Sequence, residues 1–301
     1  MGLLRGRLPR AVFTPLIVIV LSLLVPLAPC AGDVDQKGAT DLDIQGHRGC
    51  RGLRPENTLP AFERALELQV TTLEMDVQAT RDGVLIVHHD PRLNPKLCVR
   101  ADGSKLSATP FDKLDYDDLS NVDCGKLQNP KFPQQLPVPG AHIPTLNEVL
   151  RLAASSGYPV QVSIEIKMQE KRSDLGASDL ARLVVENVKE HGLESRTIIQ
   201  SFDAAALVAV RELAAEISRA YLVRDRNYQK QIDDGTATII SPKHVSLRQG
   251  DVARLQDQGI PVIPWTVNSP KDIRRLIAWG VDGIISDYPD RVIEARQELA
   301  E

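Results

Sequence analysis

Gly259-Ile260-Pro261-Val262-Ile263-Pro264-Trp265-Thr266-Val267-Asn268-Ser269-Pro270-Lys271-Asp272 carries the fold in miniature. A helix-like stretch ends at Gly259, a short apolar and β-branched run follows at 262–267, and Ser269-Pro270 with Asp272 opens the next helix. The same joint recurs at Gly157 before 160–166, at Gly192 before 197–200 and at Gly280 before 283–286. Glycine just past a helix end adopts the left-handed conformation without a Cβ clash. Helix starts are marked elsewhere by the capping box of Thr145 and Glu148, and by Asp203 ahead of an alanine-rich run.

Further strand candidates are 42–46, 73–77, 84–88, 220–223 and 244–247. Short β-branched runs alternating with helices imply parallel strands. Nine candidates compete for eight positions, and Arg81-Asp82-Gly83 reads as a tight turn that makes one of them a hairpin extension. About 255 residues, 41–296, suit one (β/α)8 TIM barrel with no internal linker. A doubly wound open sheet is the rival, but it would usually carry a glycine-rich phosphate loop after its first strand, and neither GxGxxG nor a Walker sequence occurs. Residues 91–142 break the alternation; rich in Asp, Pro, Asn and Lys, they read as a loop-rich insertion near the second and third strands.

The first 32 residues differ from the rest. Arg5, Arg7 and Arg10 precede an apolar run over 11–28, and no acid appears before Asp33. This is the pattern of a secretory signal peptide at 1–32, and Pro26 suits a cleavage site better than a retained anchor. Leu27-Ala28-Pro29-Cys30 resembles a lipoprotein signal only faintly, since proline before the cysteine fits it poorly. The expected location is periplasmic or extracellular. Losing the three arginines takes the formal charge from −4 to −7, which argues against nucleic acid and against an anionic membrane surface as partners. Stable membrane binding is expected only if the N-terminal segment is retained. Export permits a disulfide, and Cys98 with Cys124 is the natural pair within the insertion, leaving Cys50 single. The absence of any CxxC excludes zinc-ribbon and thioredoxin-type motifs.

Chemistry gathers at strand ends. Leu73-Glu74-Met75-Asp76-Val77 sets two carboxylates on one strand face, the barrel interior if the apolar neighbours face the helices. Burying two adjacent acids costs several kcal/mol unless a cation neutralises them; an edge strand with a solvated face is the plainer alternative. Ile164-Glu165-Ile166-Lys167 repeats the theme, His47 follows the strand at 42–46, and the run at 84–87 ends in His88-His89-Asp90. Oxygen-only ligands favour Mg2+ or Ca2+, and Zn2+ becomes an option only if His47 or His89 joins them. Two histidines near an ordinary pKa of about 6.5 suit acid–base work at neutral pH.

Several ordered motifs together make a specific resemblance. Gln45-Gly46-His47-Arg48-Gly49, Arg54-Pro55-Glu56-Asn57-Thr58, Glu74-x-Asp76, Thr80-Arg81-Asp82-Gly83 and His89-Asp90 are similar to the signature of the glycerophosphodiester phosphodiesterases. Ile143-Pro144-Thr145-Leu146, Glu165-Ile166-Lys167, Gln200-Ser201-Phe202, Trp265-Thr266-Val267-Asn268 and Ile285-Ser286-Asp287 extend it to about residue 289. The resemblance implies a barrel enzyme that hydrolyses glycerophosphodiesters to glycerol 3-phosphate and an alcohol. It implies His47 and His89 as the acid–base pair and Glu74, Asp76 and Glu165 as metal ligands. Arg48 and Lys167 would lie beside the phosphate, with Glu56 and Trp265 lining the substrate site. On its own, Glu56-Asn57-Thr58 could equally start a helix with Asn57 or Thr58 as cap. The chain departs from the pattern at Glu67-Leu68-Gln69-Val70, where a glycine is expected, at Cys50, and at the extra imidazole His88. Strand alternation places His88 opposite His89, packed outward or solvated. The competing functions are a phospholipase acting on lysolipids or inositol lipids, which would want an apolar rim, and a non-catalytic binding protein.

Overall fold

The computed structural model describes residues 2, 42–168 and 175–299. The segment read as a signal peptide lies outside the described residues, apart from Gly2. Seven parallel strands run in the order Gly283–Ser286 (β10), Asp43–Gly46 (β1), Thr72–Ala79 (β2), Gln161–Ile166 (β6), Thr197–Ser201 (β7), Ser218–Val223 (β8) and Ile239–Pro242 (β9). Segment 262–267 closes the ring. Ile263 N donates to Ile240 O at 3.0 Å and Trp265 N to Pro242 O at 3.1 Å on the β9 side, while Ile285 N donates to Pro264 O at 3.0 Å from β10. Pro261 and Pro264 have no N–H to offer, so this eighth position keeps only part of a ladder.

The ninth candidate is the hairpin extension. Leu85–Val87 (β3) pairs antiparallel with the far end of β2, Val77 against Val87 and Ala79 against Leu85. One strand reading is corrected: the ladder runs through Ile239–Pro242, whereas 244–247 is not a strand but a turn at 244–246, with Val245 exposed, followed by buried Leu247. The helix punctuation holds in large part. Thr145 caps Leu146–Ala154 in a reciprocal box with Glu148, Asp203 caps Ala204–Leu213, and Pro270 starts Pro270–Ala278. Gly192, Gly259 and Gly280 have positive φ, but Gly157 does not. Where the glycine was missing, Gln69 itself takes the left-handed conformation, φ 57°, behind Leu59–Glu67 (α1).

Alternation along the strands separates two cores. Leu73, Met75 and Val77 of β2 and Val162, Ile164 and Ile166 of β6 face outward into the helix layer. The residues between them face inward. At one level the interior is plugged by Ile198, Ala220, Ile239, Ile263 and Ile285, one from each successive barrel position. Further toward the strand C-termini the interior holds Glu74, Asp76, Glu165 and Gln200, all buried, with Leu222 and Trp265 beside them. This division puts the chemistry at the C-terminal mouth.

The insertion is a lobe with its own core. Its short strands Val99–Arg100 (β4) and Val122–Asp123 (β5) pair antiparallel, and Leu93, Phe111, Leu119 and Val122 pack on Ile86 of β3. Cys98 and Cys124 are disulfide-bonded, as expected, and join that core.

Candidate active site

The loop after β1 is shaped by two glycines. A Cβ on Gly49, which has φ 83°, would sit 2.6 Å from the backbone of Ala61, and one on Gly46 would strike the Gly49 carbonyl. The tight loop turns Arg48, itself at φ 54°, so that its backbone N donates to Glu74 Oε2 at 2.8 Å. Its guanidinium then bridges Asp76 Oδ2, 3.1 Å from Nε, and Glu56 Oε1. Asn57, also left-handed, donates from Nδ2 to Asp76 Oδ2 at 2.9 Å. Thr58 holds the N-cap position of α1, but its hydroxyl donates to Pro55 O. Glu56 and Asn57 therefore serve the site, not a helix cap.

β2 is paired on both sides, by β1 and β6, so the edge-strand alternative is excluded. Register sets Asp76 beside Glu165. Glu74, Asp76 and Glu165 can each aim one carboxylate oxygen so that all three lie within 4.8 Å of one another. Lys167 Nζ sits between two of them, 3.1 Å from Asp76 Oδ1 and 2.8 Å from Glu165 Oε1. Burial, with Asp76 and Glu165 alongside, pushes the Glu74 carboxyl well above its usual range. Burial and Asp76 raise Glu165 to about 7 against the pull of Lys167. Burial would raise Asp76 as well, but Lys167 and Arg48 hold it well below the carboxylate norm.

His47 Nδ1 lies 2.6 Å from Asp287 Oδ1, and a carboxylate can only accept, so Nδ1 carries the proton and Nε2 faces Glu74, 3.9 Å from Oε2. Burial and the nearby Arg51 bring His47 down to about 4, although Asp287 opposes this. Asp287 is fixed in turn by Arg51 Nε at 2.6 Å and Asn268 Nδ2 at 2.6 Å. His89 Nδ1 lies 2.9 Å from Asp90 Oδ1, and its side chain is 37% exposed. His88 points the other way, buried edge-on against Phe111 with ring centroids 5.0 Å apart.

One hollow of about 230 Å3 is lined by His47, Arg48, Glu74, His89, Glu165 and Lys167, together with Trp265. Seven of the nine residues expected at the site line this hollow, and the other two, Glu56 and Asp76, lie one contact behind on Arg48. Trp265 Nε1 donates to Ser241 O at 2.7 Å, leaving its ring to line the wall. Four partners went unassigned in the sequence: Asp287, Arg51, Asn57 as an Asp76 ligand, and Gln200, which donates to Glu74 Oε1 at 2.7 Å. Asp287 and Gln200 carried a readable signal, a polar residue at or just past the end of an apolar strand run. Cys50 is buried, donates to Ala61 O and is raised by burial to about 12, so it is a packed thiol and not a reactive one.

The model of the glycerophosphoryl diester phosphodiesterase family matches residues 47–291. The chain belongs to that family. A glycerophosphodiester phosphodiesterase of Bacillus altitudinis is 31% identical over 260 residues, 85% of this chain and 98% of that one. A crystal structure of a candidate glycerophosphoryl diester phosphodiesterase from Silicibacter pomeroyi superposes with a TM-score of 0.81 at 30% identity, over 86% of this chain and 94% of that one. An Oleispira antarctica phosphodiesterase, solved with the product sn-glycerol-3-phosphate, shares the fold at a TM-score of 0.72 and 24% identity, over 86% and 98%. Together these identify the eight parallel positions as a (β/α)8 barrel.

Proposed function

We propose that the protein hydrolyses glycerophosphodiesters to glycerol 3-phosphate and an alcohol by metal-assisted histidine acid–base chemistry. The observation that carries this reading is a charge balance around one hollow. With all five ionised, Glu56, Glu74, Asp76, Glu165 and Asp287 are countered among the described residues by the permanent cations Arg48, Arg51 and Lys167. An anionic diester would be repelled from that set, and one divalent cation brings it to neutrality. The donors offered by Glu74, Asp76 and Glu165 are all oxygen, which fits Mg2+ or Ca2+ better than Zn2+. When bound, such a cation polarises the non-bridging phosphoryl oxygens and stabilises charge in the transition state.

The chain's own groups do the rest. Arg48 and Lys167 hold the phosphoryl oxygens beside the carboxylates. His47, with Nδ1 tied to Asp287, presents a free Nε2 and takes the proton of the attacking oxygen, from water or from the glycerol 2-hydroxyl. His89 stands where the hollow widens into an outer groove and gives its proton to the departing alcohol. Phe111 and Phe132, the only phenylalanines of the insertion, are both buried, so they add no apolar rim for a lipid. That supports a water-soluble diester over a phospholipid. The presence of every acid, base and candidate ligand supports an enzyme over a binding protein. We also propose export, on the N-terminal pattern and a disulfide of the kind that persists in oxidising compartments.

Release of glycerol 3-phosphate from a panel of glycerophosphodiesters is the test, before and after chelation verified by elemental analysis. Turnover should vanish on chelation and return with Mg2+ or Ca2+ better than with Zn2+. Full turnover by metal-free protein defeats the metal assignment, and no release from any diester defeats the activity.

A further inference from the structure

The hollow continues into an outer groove of about 930 Å3 between the insertion and the C-terminal ends of β6 and β7, with Lys167, Met168, Phe202 and Asp203 on that side. His89, Glu165, Lys167, Phe202 and Arg224 border both spaces, so a diester held by the inner residues projects its alcohol into the groove. The acids along this groove are engaged. Asp90 is bonded to His89 and to Asn94, Asp112 is paired with Lys113 at 3.4 Å, and Asp203 accepts from Ala205 N at 2.8 Å as a helix cap. Among the described residues, the arginines are not paired with any acid. Arg224 on one wall and Arg92 on the insertion side have no ion-pair partner among the described residues.

Arg224 is nevertheless held in place. Its guanidinium carbon lies 4.3 Å from the centroid of the Phe202 ring, and Phe202 meets Trp265 edge-on with centroids 5.3 Å apart. This has two consequences for whatever alcohol leaves. An aromatic face is the natural seat for a quaternary ammonium, and here Arg224 already occupies one face of Phe202. A cationic alcohol would meet like charge there. An anionic alcohol would instead meet a guanidinium whose planar fork has no hydrogen-bond partner among the described residues and is preoriented by stacking.

We propose that the enzyme selects diesters whose alcohol carries an anionic group, carboxylate or phosphate, over those of a quaternary ammonium alcohol, with Arg224 as the selecting residue. This rests on the diesterase reading above. Both groups share the chemistry a guanidinium recognises, so each needs its own arm. The test measures kcat/KM of the metal-loaded protein on four diesters of sn-glycerol 3-phosphate: with 3-hydroxypropionate, 2-hydroxyethyl phosphate, 1-propanol and choline. At low salt the two anionic esters should exceed the propyl ester by about five- to tenfold, with the choline ester slowest, and the spread should narrow as salt screens the groove. In Arg224→Ala the anionic-to-neutral ratio should fall about fivefold, and in Arg224→Glu the choline ester should overtake the anionic ones. Reading ratios within each variant removes any general loss from uncovering Phe202. A choline ester cleaved as well as the anionic esters by the wild-type protein, or ratios unmoved in both variants, would overturn the proposal while leaving the diesterase reading intact. No turnover of any of the four would instead defeat the diesterase reading, and this inference with it.

Discussion

His88 and His89 are neighbours whose removal should do opposite things. His89 reaches the hollow with its side chain 37% exposed and, among the described residues, Asp90 alone as a side-chain partner. Truncating it removes a proton donor and little packing. His89→Ala should lose about 10²–10⁴ in kcat and stay within about 1 kcal/mol of wild-type stability. His88 is 6% exposed, packed on Phe111 and bonded through Nδ1 to Asp90 O at 3.1 Å. His88→Ala opens a void in the core of the insertion, at a cost of about 2–3 kcal/mol. At about 2–4 °C per kcal/mol for a domain of this size, melting should fall by roughly 4–12 °C. Its kcat should remain within a few-fold. The assay pairs thermal melts with kcat for glycerol 3-phosphate release, and adds a nitrophenyl diester whose leaving group needs no proton. The His89→Ala deficit should shrink on that substrate; if the His47→Ala deficit shrinks instead, the two proton roles are exchanged. Equal collapse of kcat in folded His88→Ala and His89→Ala proteins would refute the opposite-face assignment.

Asp287→Asn keeps the shape but cannot accept from His47, Arg51 and Asn268 together, so kcat should fall about 10²–10⁴ as the His47 tautomer is lost; wild-type kcat in the variant would remove Asp287 from the machinery. Gln69→Gly replaces a left-handed side chain at an exposed position and should stabilise by about 0.5–1 kcal/mol, a rise readable in a melt and refuted by a fall. The disulfide spans 26 residues, so reducing it should cost about 3 kcal/mol. An unchanged melt with the thiols shown free would count against that. Titrating Mg2+ or Ca2+ into metal-free protein should raise the melt by an amount equivalent to about 2.7 kcal/mol at a hundredfold excess over Kd, and Glu74→Gln should blunt the rise. A full response in that variant would place the cation elsewhere.

Elements whose pattern is local were legible in the sequence. β2 announced itself because Leu73, Met75 and Val77 alternate with Glu74 and Asp76, and the Arg81-Asp82-Gly83 turn exposed β3 as the odd strand. β9 was hidden: Ile239-Ile240-Ser241-Pro242 is four residues long and ends in a proline that reads as a break, while Val245 lent 244–247 a false β character. Gln69 shows the converse limit, since chain geometry took the left-handed turn without the glycine that would have advertised it. The roles of Asp287, Arg51 and Gln200 come from pairings across the barrel. His47 and Asp287 are 240 residues apart, and no local spacing relates them.

The two halves of the proposed chemistry are held in physically different ways. Asp76 and Glu165 stand side by side in the β2–β6 ladder, and that register is fixed from behind by Leu73, Met75, Val77, Val162, Ile164 and Ile166 in the helix layer. A slip of one residue would turn the carboxylates into that apolar layer and the aliphatic side chains into the barrel, a double loss that keeps the donor set rigid. The histidines stand just beyond the ladders, His47 after β1 and His89 two residues past β3. Each is steadied by one carboxylate, Asp287 for the buried ring and Asp90 for the half-exposed one. Cation binding thus draws on the same apolar packing that stabilises the barrel, whereas proton transfer depends on two short loops and their acids. Substitutions in the helix layer should therefore disturb metal affinity before they disturb the histidines, and changes at Asp287 or Asp90 should do the reverse.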